Sequence, residues 1–211
     1  MSTPTPTTTR TVVQTATAKM TSTSDTQGVK VMVKCPTLDA ITIKFAPTAK
    51  ASDMTDYSLN MLKDILFKAC IKSATISSTA RDPANQARVM YENLIGAGPT
   101  QGEKKQRELY NGMPGIKVID VYSELKKQNK SREEIIDAMK KKIEDLGPTT
   151  VSKHASDPKV YNVFDIAPSS ISKREAFEAA AMAAMKDHRV TKFITPKQSD
   201  PGYHFEISQP P

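Results

Sequence analysis

The chain has 211 residues, 38% hydrophobic and 25% charged, enough for one globular domain of ordinary size with an appendage. Its 30 Lys and Arg against 23 Asp and Glu give a formal net charge of +7, which favours polyanionic partners such as nucleic acid or an anionic cell-wall polymer. The lack of Trp and the 6% aromatic content argue against a stacking platform for single strands, and no run of roughly eighteen apolar residues offers a membrane span.

Residues 1–28 are mostly Thr, Ser, Pro, Ala and Gln with few large apolar side chains, so they are expected to form a flexible arm, either plainly disordered or becoming ordered against neighbouring subunits in an assembly. The start Met1-Ser2-Thr3-Pro4 lacks the charged-then-apolar order of a secretory signal. Val29–Cys35 and Ile41–Phe45 each alternate and suggest a β-hairpin or two successive edge strands over 29–50. Cys35 and Cys70, the two cysteines of the chain, are expected to be buried free thiols, because so small a pair makes neither a disulfide scaffold nor a zinc knuckle.

Asp56 is expected to cap a helix through Leu59, Leu62, Ile65, Leu66 and Ala69. Ser73–Ser77 reads as a short strand, and Asp82-Pro83 opens a helix with Val89, Met90, Leu94 and Ile95 on its buried side. Residues 99–115 read as a loop with one helical turn over 104–110. A helix through Val118, Val121, Tyr122 and Leu125 follows. The next begins at Ser131 with the capping-box order and ends at Gly147-Pro148. The lysines between Lys126 and Lys142 form a solvated helical face or a docking surface for an anionic polymer. Val160–Ile166 is a strand, Ser172–Met185 an amphipathic helix, and Val190–Ile194 and Tyr203–Ile207 are the last strands. This order implies an α+β fold with a small antiparallel sheet and flanking helices over 51–211.

Of the three histidines, His188 sits in a Lys-Asp-His-Arg run and suits a helix C-terminus. His154 and His204 stand in short apolar segments, and Asp165 is an acid inside a strand where core is expected. Two imidazoles and one carboxylate can hold one zinc ion, leaving a fourth position for water.

The order Ser152-Lys153-His154, then Asp165 within Asn162–Ile166, then Tyr203-His204 resembles the zinc D-Ala-D-Ala carboxypeptidase and phage endolysin family. Upstream, Ala74–Pro83 supplies a strand, a turn and Arg81, similar to the family's substrate-binding arginine. The resemblance covers roughly residues 56–208. It implies a zinc-dependent peptidoglycan hydrolase from a bacteriophage, cutting an amide bond of the cell-wall peptide stem. His154, Asp165 and His204 would then ligate Zn²⁺, and Arg81 would anchor a substrate carboxylate. The gap from His154 to Asp165 is longer than in the family, and Pro201 stands where the family has its catalytic Glu. Asp200 and Glu206 are therefore the candidate bases, with Asp157 a third. Such a protein would be made in the host cytoplasm and delivered to the wall by a virion or a pore. The alternatives are a virion structural protein that keeps the fold without the chemistry, meeting other virion proteins through its arm, and a basic nucleic-acid-binding protein.

Overall fold

The computed structural model describes residues 20–24, 30–96, 98–196 and 201–211. Most of the expected arm, residues 1–19 and 25–28, lies outside them. Within that arm Met20–Ser24 is a strand, β1, paired antiparallel with β2, Lys30–Lys34, in a two-stranded sheet. Of the two arrangements expected over 29–50, the hairpin would have paired β2 with the segment 41–45. That segment is instead β3, Thr42–Phe45, which runs parallel to β4, Ser73–Ser78, at the edge of a separate sheet. A parallel pair needs a crossover. It is supplied by α1, Asp56–Lys68, whose side chains Leu62, Ile65 and Leu66 are completely buried. The cap of α1 is Thr55, whose hydroxyl accepts from the Ser58 amide, and Asp56 lies in the first turn, where a negative charge meets the helix dipole.

Four of the strands expected from sequence join β3 in one mixed sheet. Its order is β3, β4, then β5 (Tyr161–Ile166), then β7 (Tyr203–Ser208), then β6 (Lys192–Ile194), antiparallel at every pairing except the first. The sheet is thus α+β as expected, but mixed and not wholly antiparallel. Period-two alternation gives β5 and β7 two distinct faces. Phe164 and Phe205 are cross-strand partners on one face, stacked 5.2 Å apart and fully buried beneath α1 and α7, Arg174–Lys186. Truncating either ring to alanine costs about 3–5 kcal/mol. Asp165, His204 and Glu206 occupy the other face.

That second face looks toward a helical layer with its own core of Met90, Leu94, Val118, Ile119, Tyr122, Ile135 and Met139. The layer comprises α2 (Pro83–Gly96), α3 (Pro99–Leu109), α4 (Ile116–Lys127), α5 (Arg132–Leu146) and the single turn α6 (Pro148–Val151). Asp82 caps α2 by accepting from the Asn85 amide, and the capping box of α5 is complete between Ser131 and Glu134. Ile95, expected on the buried side of α2, is 45% exposed; Gln86 and Ala87 are buried instead. The expected loop over 99–115 is mostly α3. Its sequence is too polar to show an apolar face, and its place is set by close packing: a Cβ on Gly102 would lie 2.1 Å from the Leu94 carbonyl oxygen.

The cysteines are also placed otherwise than expected. Cys35, just past β2, and Cys70, just past α1, form a disulfide with Cα atoms 4.9 Å apart. Cys70 has a positive φ of 56°, so the chain turns sharply at the end of α1 and presents its sulfur to Cys35. Among the described residues, no helix is long and apolar enough to cross a membrane.

Candidate metal centre

Strand register brings two of the three expected ligands together. Asp165 and His204 are direct partners on β5 and β7, and His204 Nδ1 lies 2.9 Å from Asp165 Oδ1. His154 arrives from a different element, the 3₁₀ turn Lys153–Ala155 that follows α6, and its Nε2 lies 3.2 Å from Asp165 Oδ2 and 3.3 Å from Oδ1. One ligand atom from each residue lies within 4.8 Å of the others, and all three residues are buried. The group could hold a metal ion.

The hydrogen-bond roles around the group test that fit. His154 Nδ1 is 2.7 Å from the Thr79 carbonyl oxygen, which can only accept, so Nδ1 carries the proton. Burial pushes the imidazole pKa down, against the opposing pull of Asp165, and keeps the ring neutral near pH 7. Nε2 therefore presents a lone pair toward the Asp165 carboxylate. Burial works against ionisation of Asp165, but its neighbours hold the carboxyl well below the usual range, and with the imidazoles neutral the positive charge among them is the Arg81 guanidinium, 2.6 Å from Oδ2. A bare imidazole nitrogen and a carboxylate facing each other at 3.2 Å are two acceptors, an arrangement that a cation between them satisfies. On the other side, His204 Nε2 is 3.1 Å from Glu206 Oε1. A proton at that nitrogen leaves Nδ1 as the ligand atom, the carboxylate–histidine pairing that orients metal-bound imidazoles.

Glu206 sits on the same strand face as His204, as expected, but both of its oxygens are engaged: Oε1 by His204 and Oε2 by the Tyr161 hydroxyl at 2.8 Å. Burial raises its pKa, and the bonds from His204 and Tyr161 more than reverse this, lowering it to about 2. The same contact and burial push the Tyr161 phenol up to about 12. With one oxygen on His204 and the other on Tyr161, Glu206 is placed behind the imidazole and can orient it. Asp200, the other candidate base, lies outside the described residues. Asp157 is exposed, accepts from the Lys159 amide in its own turn, and is not among the residues lining the cavity.

Arg81 stands where the strand–turn–helix expectation puts it, but its guanidinium is already in use. Nη2 is 2.6 Å from Asp165 Oδ2, Nε donates to Ser78 Oγ at 2.8 Å, and Nη1 reaches Gln86 Oε1 at 3.4 Å. Its backbone N–H also donates to the His154 carbonyl at 2.7 Å. The fork expected to face a substrate carboxylate is bonded to Asp165 of the candidate group. A bulge near the end of β4, between Ile76 and Ser78, turns the chain so that Thr79 and Arg81 can reach His154 and Asp165.

Above the centre lies a cavity of about 550 Å³ between the sheet and the helical layer, lined among others by Arg81, Gln86, Tyr110, His154, Asp165, His204 and Glu206. Buried Gln86 donates to the Tyr110 hydroxyl at 3.2 Å, which ties Arg81 to α3. Sequence reasoning missed Thr79, Tyr161 and Gln86. Thr79 acts through its backbone, which leaves no signal in residue type; Tyr161 and Gln86 are common residue types, and the Tyr161 partner Glu206 lies on another strand. Set against known protein families, curated proteins and solved structures, the chain matches none.

Proposed function

We propose that this protein is a zinc-dependent hydrolase of the D-Ala-D-Ala carboxypeptidase and phage endolysin type, acting on an amide bond in the peptide stem of the cell wall. The observation that carries the reading is the convergence of His154, Asp165 and His204, in the family's order, on the floor of an open cavity. Zinc bound there would polarise a scissile carbonyl and lower the pKa of its water. The chain's own residues prepare the position. Thr79 fixes the His154 tautomer, Glu206 fixes that of His204, and Arg81 keeps Asp165 ionised and oriented. The Cys35–Cys70 disulfide supports a working life outside a reducing cytoplasm, in a virion or at the cell wall.

A second reading is favoured by one observation. Among the described residues, the carboxylates lining the cavity are Glu92, Asp165 and Glu206, and each is already paired with another side chain. If Asp200 does not serve, the protein is a virion component that keeps the centre without the chemistry.

Elemental analysis and a peptide-release assay on purified cell wall test both. The hydrolase reading expects one zinc per chain and hydrolysis that Asp200→Asn lowers ~10²–10⁴-fold without loss of metal. A protein unable to take up zinc sinks it. Zinc without hydrolysis in the wild type supports the second reading.

A further inference from the structure

Among the described residues, the Lys and Arg side chains lining the cavity are Lys50, Arg81, Arg88, Lys153 and Lys192. Three of them already face carboxylates: Arg81 with Asp165 at 2.6 Å, Arg88 with Glu92 at 2.9 Å and Lys192 with Glu206 at 3.6 Å. Lys50 and Lys153 do not. Both are exposed, and neither ammonium has a carboxylate partner among the described residues.

Their backbones are fixed to the centre itself. The Lys50 N–H donates to Thr79 Oγ1 at 3.0 Å, while the carbonyl of the same Thr79 accepts from His154 Nδ1 at 2.7 Å. Lys153 immediately precedes His154 in the 3₁₀ turn. A single residue thus anchors the segment carrying Lys50 to the imidazole beside Lys153. The Asp53 carboxylate near the root of Lys50 accepts from the Thr79 hydroxyl at 2.8 Å and is not within ion-pair distance of either ammonium. Two ammonium groups without an ion-pair partner among the described residues, on stems rooted at one cavity wall, are attracted to a small anion there, and each flexible stem can adjust to it.

We propose that Lys50 and Lys153 form an anion subsite that takes the carboxylate of a peptide in this cavity, the task that Arg81 cannot perform while it clamps Asp165. The proposal builds on the peptide-hydrolase reading of the same cavity and names how its ligand is held.

The test measures, by titration calorimetry, binding of N-acetyl-dialanine and of its C-terminal amide to the full chain, both zinc-loaded and metal-stripped. The acid is expected to bind more tightly than the amide. Lys50→Ala and Lys153→Ala should each weaken acid binding roughly fivefold, the worth of a solvent-accessible ion pair, and leave amide binding and zinc content unchanged. The double variant should bind both peptides alike, and added salt should erode the wild-type preference. Equal affinity for acid and amide in the wild type, binding of neither, or a preference that survives in the double variant overturns the proposal. Zinc content is read separately. A chain that takes up no zinc yet prefers the acid through these lysines refutes the hydrolase and leaves the subsite standing, while a zinc-loaded hydrolase blind to the carboxylate does the reverse.

Discussion

Asp165 and His204 face each other across neighbouring strands, with Oδ1 and Nδ1 2.9 Å apart, and each is held from behind by a partner of opposite character: Arg81 on the aspartate, Glu206 on the histidine. The pair is therefore held in a fixed orientation by these two partners. His204→Ala should abolish zinc uptake. Glu206→Gln should keep a single binding position but weaken it about 10–100-fold, because the carboxylate that orients the ring is lost while the ligand atoms remain. Competition with a chromophoric chelator measures both, and unchanged affinity in Glu206→Gln would remove Glu206 from the centre.

The Arg81–Asp165 pair is 12–14% exposed, so removing one partner strands a charge that water barely reaches. Arg81→Ala should lower the stability of the metal-free protein by about 3 kcal/mol. Zinc should restore part of that loss by giving Asp165 a new counter-charge. Urea unfolding with and without zinc measures both quantities. Arg81→Lys keeps the charge but not the fork, so it should fall between wild type and the alanine variant.

The disulfide closes a loop with a sequence separation of 35 residues. Replacing both cysteines by serine should cost about 3–4 kcal/mol, mainly through the greater freedom of the unfolded chain. Native protein should show no thiol to Ellman's reagent until it is reduced, and reductant should move the wild-type urea midpoint to that of the double variant. A wild type that titrates two thiols would restore the original expectation of free cysteines.

Asp64 on α1 joins that helix to Arg189, beyond α7, at 2.7 Å, and also bonds Lys68. Burial raises its pKa, but the bonds to Lys68 and Arg189 outweigh burial and leave it below the ordinary value. The folded protein therefore binds this proton less readily than the unfolded chain. The pair's stabilisation is present above about pH 4, the unfolded carboxyl value, and is lost as pH falls through the lower folded value. With the side chains 28% and 32% exposed, screening keeps the contribution below about 1 kcal/mol. Asp64→Asn should thus be less stable than wild type at pH 7, and the gap should close in acid; a gap that widened in acid would contradict the pairing.

Much of the fold follows from local rules that a sequence displays. The capping box at Ser131, the alternation of β5 and β7, and the apolar spacing of α1 and α5 each involve residues a few positions apart, so the pattern is visible in one stretch of chain. The group that could hold a metal was legible for a related reason: two of only three histidines and one acid in an apolar strand are chemically out of place singly and complementary together. Tertiary structure alone decided which segments meet. The parallel pairing of β3 with β4, the disulfide between Cys35 and Cys70, the packing of polar α3 through Gly102, and the capture of Arg81 by Asp165 all join residues without local periodicity between them. Such contacts are selected by the whole packed chain, because the entropy cost of closing a loop varies only slowly with its length and leaves many pairings open to a sequence. The same physics sets the surroundings of the candidate centre: residue type made Arg81 and Glu206 plausible as substrate anchor and base, and packing placed their side chains against Asp165 and His204.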